Sequence, residues 1–260
     1  MAHDLAAELD LALSLADDAD VITLPRFLAR NFSVDTKANA TEVTEVDRAA
    51  ETAVMDLIRA ARPTHAWYGE EHGSGGNEGA EWTWVVDPID GTSNFVRGVP
   101  VWATMIALVH RELGPVVGVV SAPAMQTRWW GMLDGGAYCN GSPINVSDTE
   151  DITHAHLSVT ANEAWTDAGR ARNIEHLTGS VRRVRGFGDF WQHMLVAQGA
   201  VDVAVDAIGL EPYDIAPLVP IVKAAGGTIT DRFGTEDWQA NTAVSTNGRL
   251  HRRVVEILNA

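Results

Sequence analysis

Trp84-Val85-Val86-Asp87-Pro88-Ile89-Asp90-Gly91-Thr92-Ser93-Asn94-Phe95 is the stretch on which the fold and chemistry of this sequence turn. Its apolar, β-branched start is strand-forming. It delivers two carboxylates, three positions apart, into a turn that Pro88 stiffens and Gly91 lets bend, after which the chain enters a helical turn. Hard oxygen ligands thus stand at the end of a rigid element, where grouped carboxylates repel one another unless a cation lies between them. The amides of Gly91, Thr92 and Ser93, at a helix start, suit an anion. Metal and phosphate can meet at such a turn. The plainer alternative is that Asp87 and Asp90 only cap the turn and the helix after it.

Upstream, Trp67 to Glu70 and Trp82 to Val86 read as strands, separated by the glycine-rich stretch from His72 to Gly79, which reads as a mobile loop. Gly69-Glu70-Glu71-His72 puts acids where they reach the same turn if the two strands are neighbours; paired glutamates also commonly form a solvated face. Further back, Leu5, Leu9, Leu13 and Ala16 share one face, with Asp10, Asp17 and Asp18 off it, and predict a helix from Asp4 to Leu24. Asn31 to Thr44 is polar and aperiodic, and helical spacing returns from Val46 until Arg62-Pro63 stops it.

Downstream, the apolar runs at 103–109, 116–121, 128–132 and 136–139 predict sequential strands of a mostly antiparallel sheet. Strand-like His156 to Thr160, Arg183 to Gly186, Val201 to Val205 and Ala243 to Thr246 then alternate with helices near Glu163 to Leu177, Phe190 to Gln198, Tyr213 to Ala225 and a last one to Leu258. Asp214 begins the third of these, where it is either a first-turn carboxylate favoured by the helix dipole or a metal ligand. No repeat or linker stands out. The expectation is a single α/β domain whose halves, 1–145 and 146–260, share an extensive interface.

The composition sets limits. At 260 residues and 46% hydrophobic the chain is of ordinary globular type, which excludes collagen-like, disordered and coiled-coil readings. A formal charge of -16 opposes nucleic acid and anionic lipid as partners and means that an anionic substrate needs local help. The single Cys139 excludes a disulfide framework and a multi-cysteine metal site, and fits a cytoplasmic protein. Met1 to Asp20 has neither a basic start nor an unbroken apolar run, so neither signal peptide nor membrane span is expected. The histidines lack metal-ligand spacing. The Gly73 to Gly79 loop lacks the Gly-Lys-Ser/Thr ending of a nucleotide-binding loop and reads as a lid or subunit-contact loop.

Taken together, Gly69-Glu70-Glu71, Asp87-Pro88-Ile89-Asp90-Gly91-Thr92, and Tyr213-Asp214 with Ala224-Ala225-Gly226-Gly227 closely resemble the inositol-monophosphatase-like family of magnesium-dependent, lithium-sensitive phosphatases, over nearly the whole chain. The resemblance implies a layered αβαβα sandwich and a homodimer. It implies that Glu70, Asp87 and the Ile89 carbonyl hold one Mg2+, that Asp87, Asp90 and Asp214 hold a second, and that a third binds weakly near Glu70. Two such metals clamp the attacking and leaving oxygens and acidify a water, which is then the nucleophile. The resemblance makes Thr92 the hydroxyl that positions this water and Asp47 its partner, although Thr44-Glu45-Val46-Asp47 also reads as a capping-box variant. It places phosphate or substrate at Asp90, Gly91, Thr92, Ser93 and Asp214, and counts Glu70 with Asp47 and Thr92 as catalytic. Where the family often has an aspartate before the Val-Thr pair, this chain has Thr41-Glu42-Val43-Thr44, which leaves the Lys37 loop without an assigned role.

Specificity in this family lies over the leaving group, here Gly186-Phe187-Gly188-Asp189-Phe190-Trp191 and Val205-Asp206-Ala207-Ile208-Gly209. A carboxylate at Asp189 or Asp206 suits a cationic leaving group. These segments, with Asn94 to Ala103 and Arg128-Trp129-Trp130, resemble the actinobacterial histidinol-phosphate phosphatase branch, which implies L-histidinol phosphate as substrate in histidine biosynthesis. Asp189 as an N-cap and Trp191 as a core residue are the plainer alternatives. Inositol 1-phosphate or another small phosphate ester is the nearest rival substrate, and a transcription-associated binding protein the rival from another class.

Overall fold

The computed structural model of this chain describes residues 5–37 and 41–260. In chain order the helices are α1 (Leu5–Ala29), α2 (Glu45–Ala61), α3 (Thr92–Arg97), α4 (Glu163–Asp167), α5 (Ala171–Ser180), α6 (Asp189–Ala197), α7 (Pro212–Ile215), α8 (Leu218–Ala224) and α9 (His251–Asn259). The strands are β1 (Val34–Thr36), β2 (Glu42–Thr44), β3 (Ala66–Gly69), β4 (Gly73–Gly76), β5 (Trp82–Asp90), β6 (Ala103–His110), β7 (Gly114–Ala122), β8 (Thr127–Met132), β9 (Gly136–Cys139), β10 (Ser142–Pro143), β11 (His156–Val159), β12 (Arg183–Arg185), β13 (Val203–Val205), β14 (Thr228–Thr230) and β15 (Val244–Thr246).

Beside the small β1-β2 ladder, two sheets organise the chain: one in the order β10-β9-β8-β7-β6-β5-β3-β4, the other in the order β12-β11-β13-β15-β14. The first is antiparallel except where β3 runs parallel to β5. One apolar face of the large sheet, with Trp84, Val86, Ile106 and Leu108, packs on α1 and α2. Its other face packs on α6 and α8 through Met105, Val120 and Trp129, in a cluster that reaches Ile229 of the second sheet. The second sheet buries Leu157, Val203 and Val244 against α5 and α9. Helix, sheet, helix, sheet and helix layers result, as the family resemblance implied. The seam is tight because β7 and β8 offer glycines to α8. A Cβ on Gly118 would lie 2.2 Å from the Pro217 carbonyl oxygen, and one on Gly131 would lie 2.8 Å from Ile221 Cα.

Several local expectations change. The first helix runs past Pro25 to Ala29 and buries Ala12, Leu15, Ala16 and Ala19; Leu5, Leu9 and Leu13 only flank that face, because small residues let the helix lie close to the sheet. Asp4, where the sequence reading began this helix, lies outside the described residues. The polar stretch before α2 contains the β1-β2 ladder. The helix expected over 163–177 divides into α4 and α5 around Gly169 at φ 70, and that over 213–225 divides into α7 and α8 before Pro217.

The glycine-rich loop is the largest change. Gly73–Gly76 forms edge strand β4, paired antiparallel to β3. Gly75 and Gly76 lie against an indole: a Cβ on Gly75 would stand 2.4 Å from Trp67 Cζ2, and one on Gly76 2.7 Å from Trp67 Cζ3. The missing side chains there serve a close approach rather than mobility.

Candidate active site

Alternation along β5 sorts its residues. Trp84 and Val86 face α1 and α2, while Val85 packs with Tyr68, Tyr213 and Ala216 on the opposite face. Asp87 has the parity of Val85, so it points toward α7, where it is 2% exposed. The Asp87 to Asp90 segment breaks the regular pairing with β6, and the Thr104 hydroxyl holds the irregularity by donating to the Pro88 carbonyl at 2.8 Å. Such a break re-aims side chains and ends pairing. The Ile89 N–H donates to Asp87 Oδ1 at 2.9 Å, and the Phe190 N–H of α6 donates to Asp90 Oδ2 at 2.7 Å. Gly91 takes φ 85 and leads into α3.

Because β3 and β5 are neighbours, the acids after β3 reach this turn. The Glu70 N–H continues the ladder by donating to the Val86 carbonyl at 3.2 Å, and the Glu70 and Asp87 carboxyl groups lie within hydrogen-bonding reach of each other. From the other side α7 brings Asp214, whose Oδ2 accepts the Glu211 N–H at 2.7 Å. Asp87, Asp90 and Asp214 each place a carboxylate oxygen within 4.8 Å of the others.

Asp47 caps α2 and also lies beside Thr92. Its Oδ2 accepts the N–H and hydroxyl of Thr44, closing the capping box of α2, and its Oδ1 lies 3.2 Å from the Thr92 hydroxyl. That hydroxyl also lies 3.1 Å from the Ile89 carbonyl, so its single proton has two acceptors to choose from. Lys37 caps the cluster, donating to Glu70 Oε1 at 2.7 Å and Glu71 Oε1 at 2.6 Å. An open cleft of ≈ 910 Å³ exposes the arrangement to solvent between Lys37, Glu70, Thr92, Arg97, Tyr213 and Asp214, and Gly91 and Ser93 also line it.

Burial, followed by mutual repulsion, pushes these carboxyl groups up. Asp87 and Asp90 rise well above the usual carboxylate range, with Glu70, Asp214 and Asp189 among the neighbouring charges. Asp214 is pushed up to about 7 and Asp47 to about 6, chiefly by burial in both cases. Glu70 is also raised by burial, against the pull of Lys37. Burial alone would lower Lys37, but its two glutamate partners carry it upward. Buried acids that resist ionisation are stabilised by taking up protons or by a cation. An all-oxygen donor set around a pocket open to water fits a hard divalent ion such as magnesium.

The leaving-group residues separate. Asp189 is the first residue of α6, at φ 47, with Gly188 in the N-cap position, so it does not cap the helix. Its Oδ2 instead accepts from Asn94 Nδ2 at 2.9 Å, and the same amide donates to the Val101 carbonyl at 2.8 Å. Burial first, and then the Asp206 charge, pushes Asp189 up to about 6. Asp206 is not brought to the cleft. Its Oδ1 takes the Ala207 N–H at 2.7 Å, its Oδ2 lies 3.0 Å from Nε2 of fully buried His193, and it is 5% exposed. It acts on the site by its field rather than by contact. Trp191 is half-buried against Phe187, and is packing.

Glu51 was missed, although its signal was present: it lies four residues after Asp47, among the apolar positions Val46, Ala50 and Val54 of one helical face, where an acid is out of place. Tyr213 and Glu211, which line the cleft beside Asp214, were passed over as flanking residues.

The chain is similar to known proteins over its length. A family model described as "Inositol monophosphatase family" matches residues 5–260. The chain is 41% identical to a histidinol-phosphatase of Streptomyces coelicolor, covering 98% of each chain, and 43% identical to a histidinol-phosphatase of Mycobacterium tuberculosis, covering 100% of each. Among solved structures, an IMPase of Thermotoga maritima superposes with a TM-score of 0.86 at 31% identity, over 97% of each chain.

Proposed function

The chain belongs to the inositol monophosphatase family and is a phosphoric monoester hydrolase, and from that premise we propose that it hydrolyses L-histidinol phosphate to L-histidinol with magnesium. Full-length similarity to two histidinol-phosphatases supports this substrate. The observation that carries it in this chain is Asp189, a carboxylate turned away from capping its own helix and fixed by Asn94 next to the Asp90 turn. A neutral polyol has no use for a fixed anion there. An amino alcohol brings an ammonium that offsets its desolvation.

Glu70, Asp87, the Ile89 carbonyl, Asp90 and Asp214 are the groups that would hold two magnesium ions, with Lys37 giving up its bond to Glu70 or a third ion sitting beside it. A magnesium held there would neutralise the carboxylates and would supply an acidified water and charge stabilisation at the phosphoryl group. The chain's own part is orientation and proton transfer. Thr92 Oγ1, with its proton directed to Asp47 Oδ1, has lone pairs free to take a proton from the attacking water. Asp47, held at both oxygens, receives the proton that Thr92 passes on. The P–O bond to the leaving alkoxide breaks as the water oxygen bonds to phosphorus, and the alkoxide takes a proton from solvent water to leave as the alcohol, while Asp47 returns its proton to solvent. The Gly91, Thr92 and Ser93 backbone faces the phosphate, and Asp189 holds the ammonium of the leaving group.

No helix among the described residues is long and apolar enough to cross a membrane, and the acidic surface supports a small-molecule ester rather than nucleic acid as partner. Lithium inhibition and a homodimer belong to the same reading. The test is phosphate release by the purified protein with magnesium, with and without chelator, comparing L-histidinol phosphate with myo-inositol 1-phosphate. A chelator-sensitive preference of about a hundredfold, about 2.7 kcal/mol, is expected for the first. Equal or reversed rates would reassign the substrate to a polyol ester.

A further inference from the structure

We propose that Glu51 is a positioning residue for the metal site: a buried carboxylate that fixes the Glu70 turn from beneath and so sets magnesium affinity. The inference rests on the reading of Glu70 as a metal ligand and extends it to a residue that touches neither metal nor substrate. Glu51 is fully buried on α2, one helical turn after Asp47, and nothing in the phosphatase chemistry uses it. Its Oε2 accepts the Glu71 N–H at 2.7 Å, and its Oε1 accepts the His72 N–H at 2.9 Å and lies 3.1 Å from His72 Nδ1. All three contacts fall on the two residues that follow Glu70. Hydrogen bonds to an ionised acceptor are the strong ones, and two parallel main-chain bonds leave the turn little freedom.

The turn is shaped to receive this carboxylate. A Cβ on Gly69 would lie 2.1 Å from Glu51 Oε1 and 2.6 Å from Glu51 Cδ, so only glycine lets the acid slide under the chain just before Glu70. Gly69 has no positive φ to explain it. Close approach is therefore what the glycine is for. From above, Lys37 ties Glu70 to Glu71, and His72 Nε2 reaches Thr52 Oγ1 at 3.3 Å. Helix α2 thus supports two functional groups from adjacent turns: Asp47 orients Thr92, and Glu51 orients Glu70. Partners that orient metal ligands cost about 10- to 100-fold in metal affinity when removed.

The experiment titrates magnesium into substrate-free protein by calorimetry, for wild type, Glu51→Gln and Gly69→Ala, with circular dichroism as a check on folding. Glu51→Gln keeps size and one acceptor but turns an amide NH2 toward a main-chain N–H. Gly69→Ala keeps Glu51 and displaces its carboxylate. Both are expected to weaken magnesium binding at least about tenfold. Phosphate release should return to within about threefold of the wild-type kcat at saturating magnesium, which loss of a group acting on the reacting atoms would not allow. In wild type, where no variant's folding is in question, magnesium should slow hydrogen exchange of the Glu71 and His72 amides, because coupling between sites is reciprocal. Affinities within twofold of wild type in folded variants, or amide exchange indifferent to magnesium, would overturn the inference. Wild-type protein that binds no magnesium overturns the site reading itself, and this inference with it.

Discussion

Replacing Asp189 by Asn tests the substrate with the least disturbance to the fold. The amide has nearly the same shape, and its oxygen can still accept from Asn94 Nδ2, now 2.9 Å from the carboxylate. What is lost is one charge. Two unit charges about 4 Å apart attract by about 4 kcal/mol at an effective dielectric constant near 20. Desolvating the ammonium of the substrate cancels part of this. The remainder is about 2 to 3 kcal/mol, in the upper range for hydrogen bonds to charged groups, or roughly 30- to 150-fold. The loss should fall on kcat/KM for L-histidinol phosphate and leave myo-inositol 1-phosphate nearly unaffected. Phosphate release is measured for both esters at pH 8, where Asp189, pushed up to about 6 by burial, is ionised. A ratio of efficiencies unchanged by the substitution would refute the role of Asp189 and remove the structural reason for a cationic substrate.

Asp90→Asn and Asp214→Asn should each lower phosphate release at least about a thousandfold, since each removes a proposed metal ligand. Without metal they should melt no lower than wild type, since a repelling buried charge is also removed, and near-normal turnover would contradict the two-metal arrangement. In metal-free protein, Asp214 at about 7 and Asp47 at about 6 both stand above the ordinary 3.8. The folded state therefore holds more protons than the unfolded one between about pH 4 and 7, and these groups make stability fall as pH rises through that window. Magnesium should accordingly raise the melting temperature more at pH 8 than at pH 5.5, and a shift independent of pH would count against the raised carboxyl groups. Gly118→Ala should destabilise by about 1 to 3 kcal/mol, because its Cβ meets the Pro217 carbonyl; an unchanged melting temperature would show that α8 can move off the sheet freely.

How much of this was legible depended on whether a signal was local. The β5 turn announced itself because strand, proline, glycine and two acids coincide within a dozen residues. Asp214 and Glu70 were recognisable only in combination, since each alone is an ordinary helix-start or surface acid; β3 lying beside β5, and α7 against the same face, turns them into one cluster. Where two interpretations of a short pattern compete, tertiary neighbours decide. Nothing in Gly73-Ser74-Gly75-Gly76 distinguishes a flexible loop from a strand under an indole until Trp67 is seen lying on it. Asp189 and Asp206 looked equivalent in sequence, and only the positions of Asn94 and His193 separate a carboxylate lying beside Gly91 of the cleft from one satisfied internally.

The same logic explains why α2 was underread. Its stripe of Val46, Ala50, Val54 and Ile58 predicts burial against a sheet and so a structural role. Two acids on that buried face, Asp47 and Glu51, contradict a purely apolar contact, and buried acids are retained only where donors meet them. The donors are Thr44 and the Thr92 hydroxyl for one, and the Glu71 and His72 amides for the other, so each acid meets a donor that lies far along the chain, 45 residues on for Asp47 and 20 for Glu51. One rigid helix thereby fixes both Thr92, the proposed proton carrier, and the glutamate turn relative to each other. In the proposed site, precision then depends on the packing of α2 against α1 and β5, so a cavity such as Ile58→Ala should be felt in magnesium affinity before it is felt in substrate preference, which the proposal assigns to Asp189 on α6.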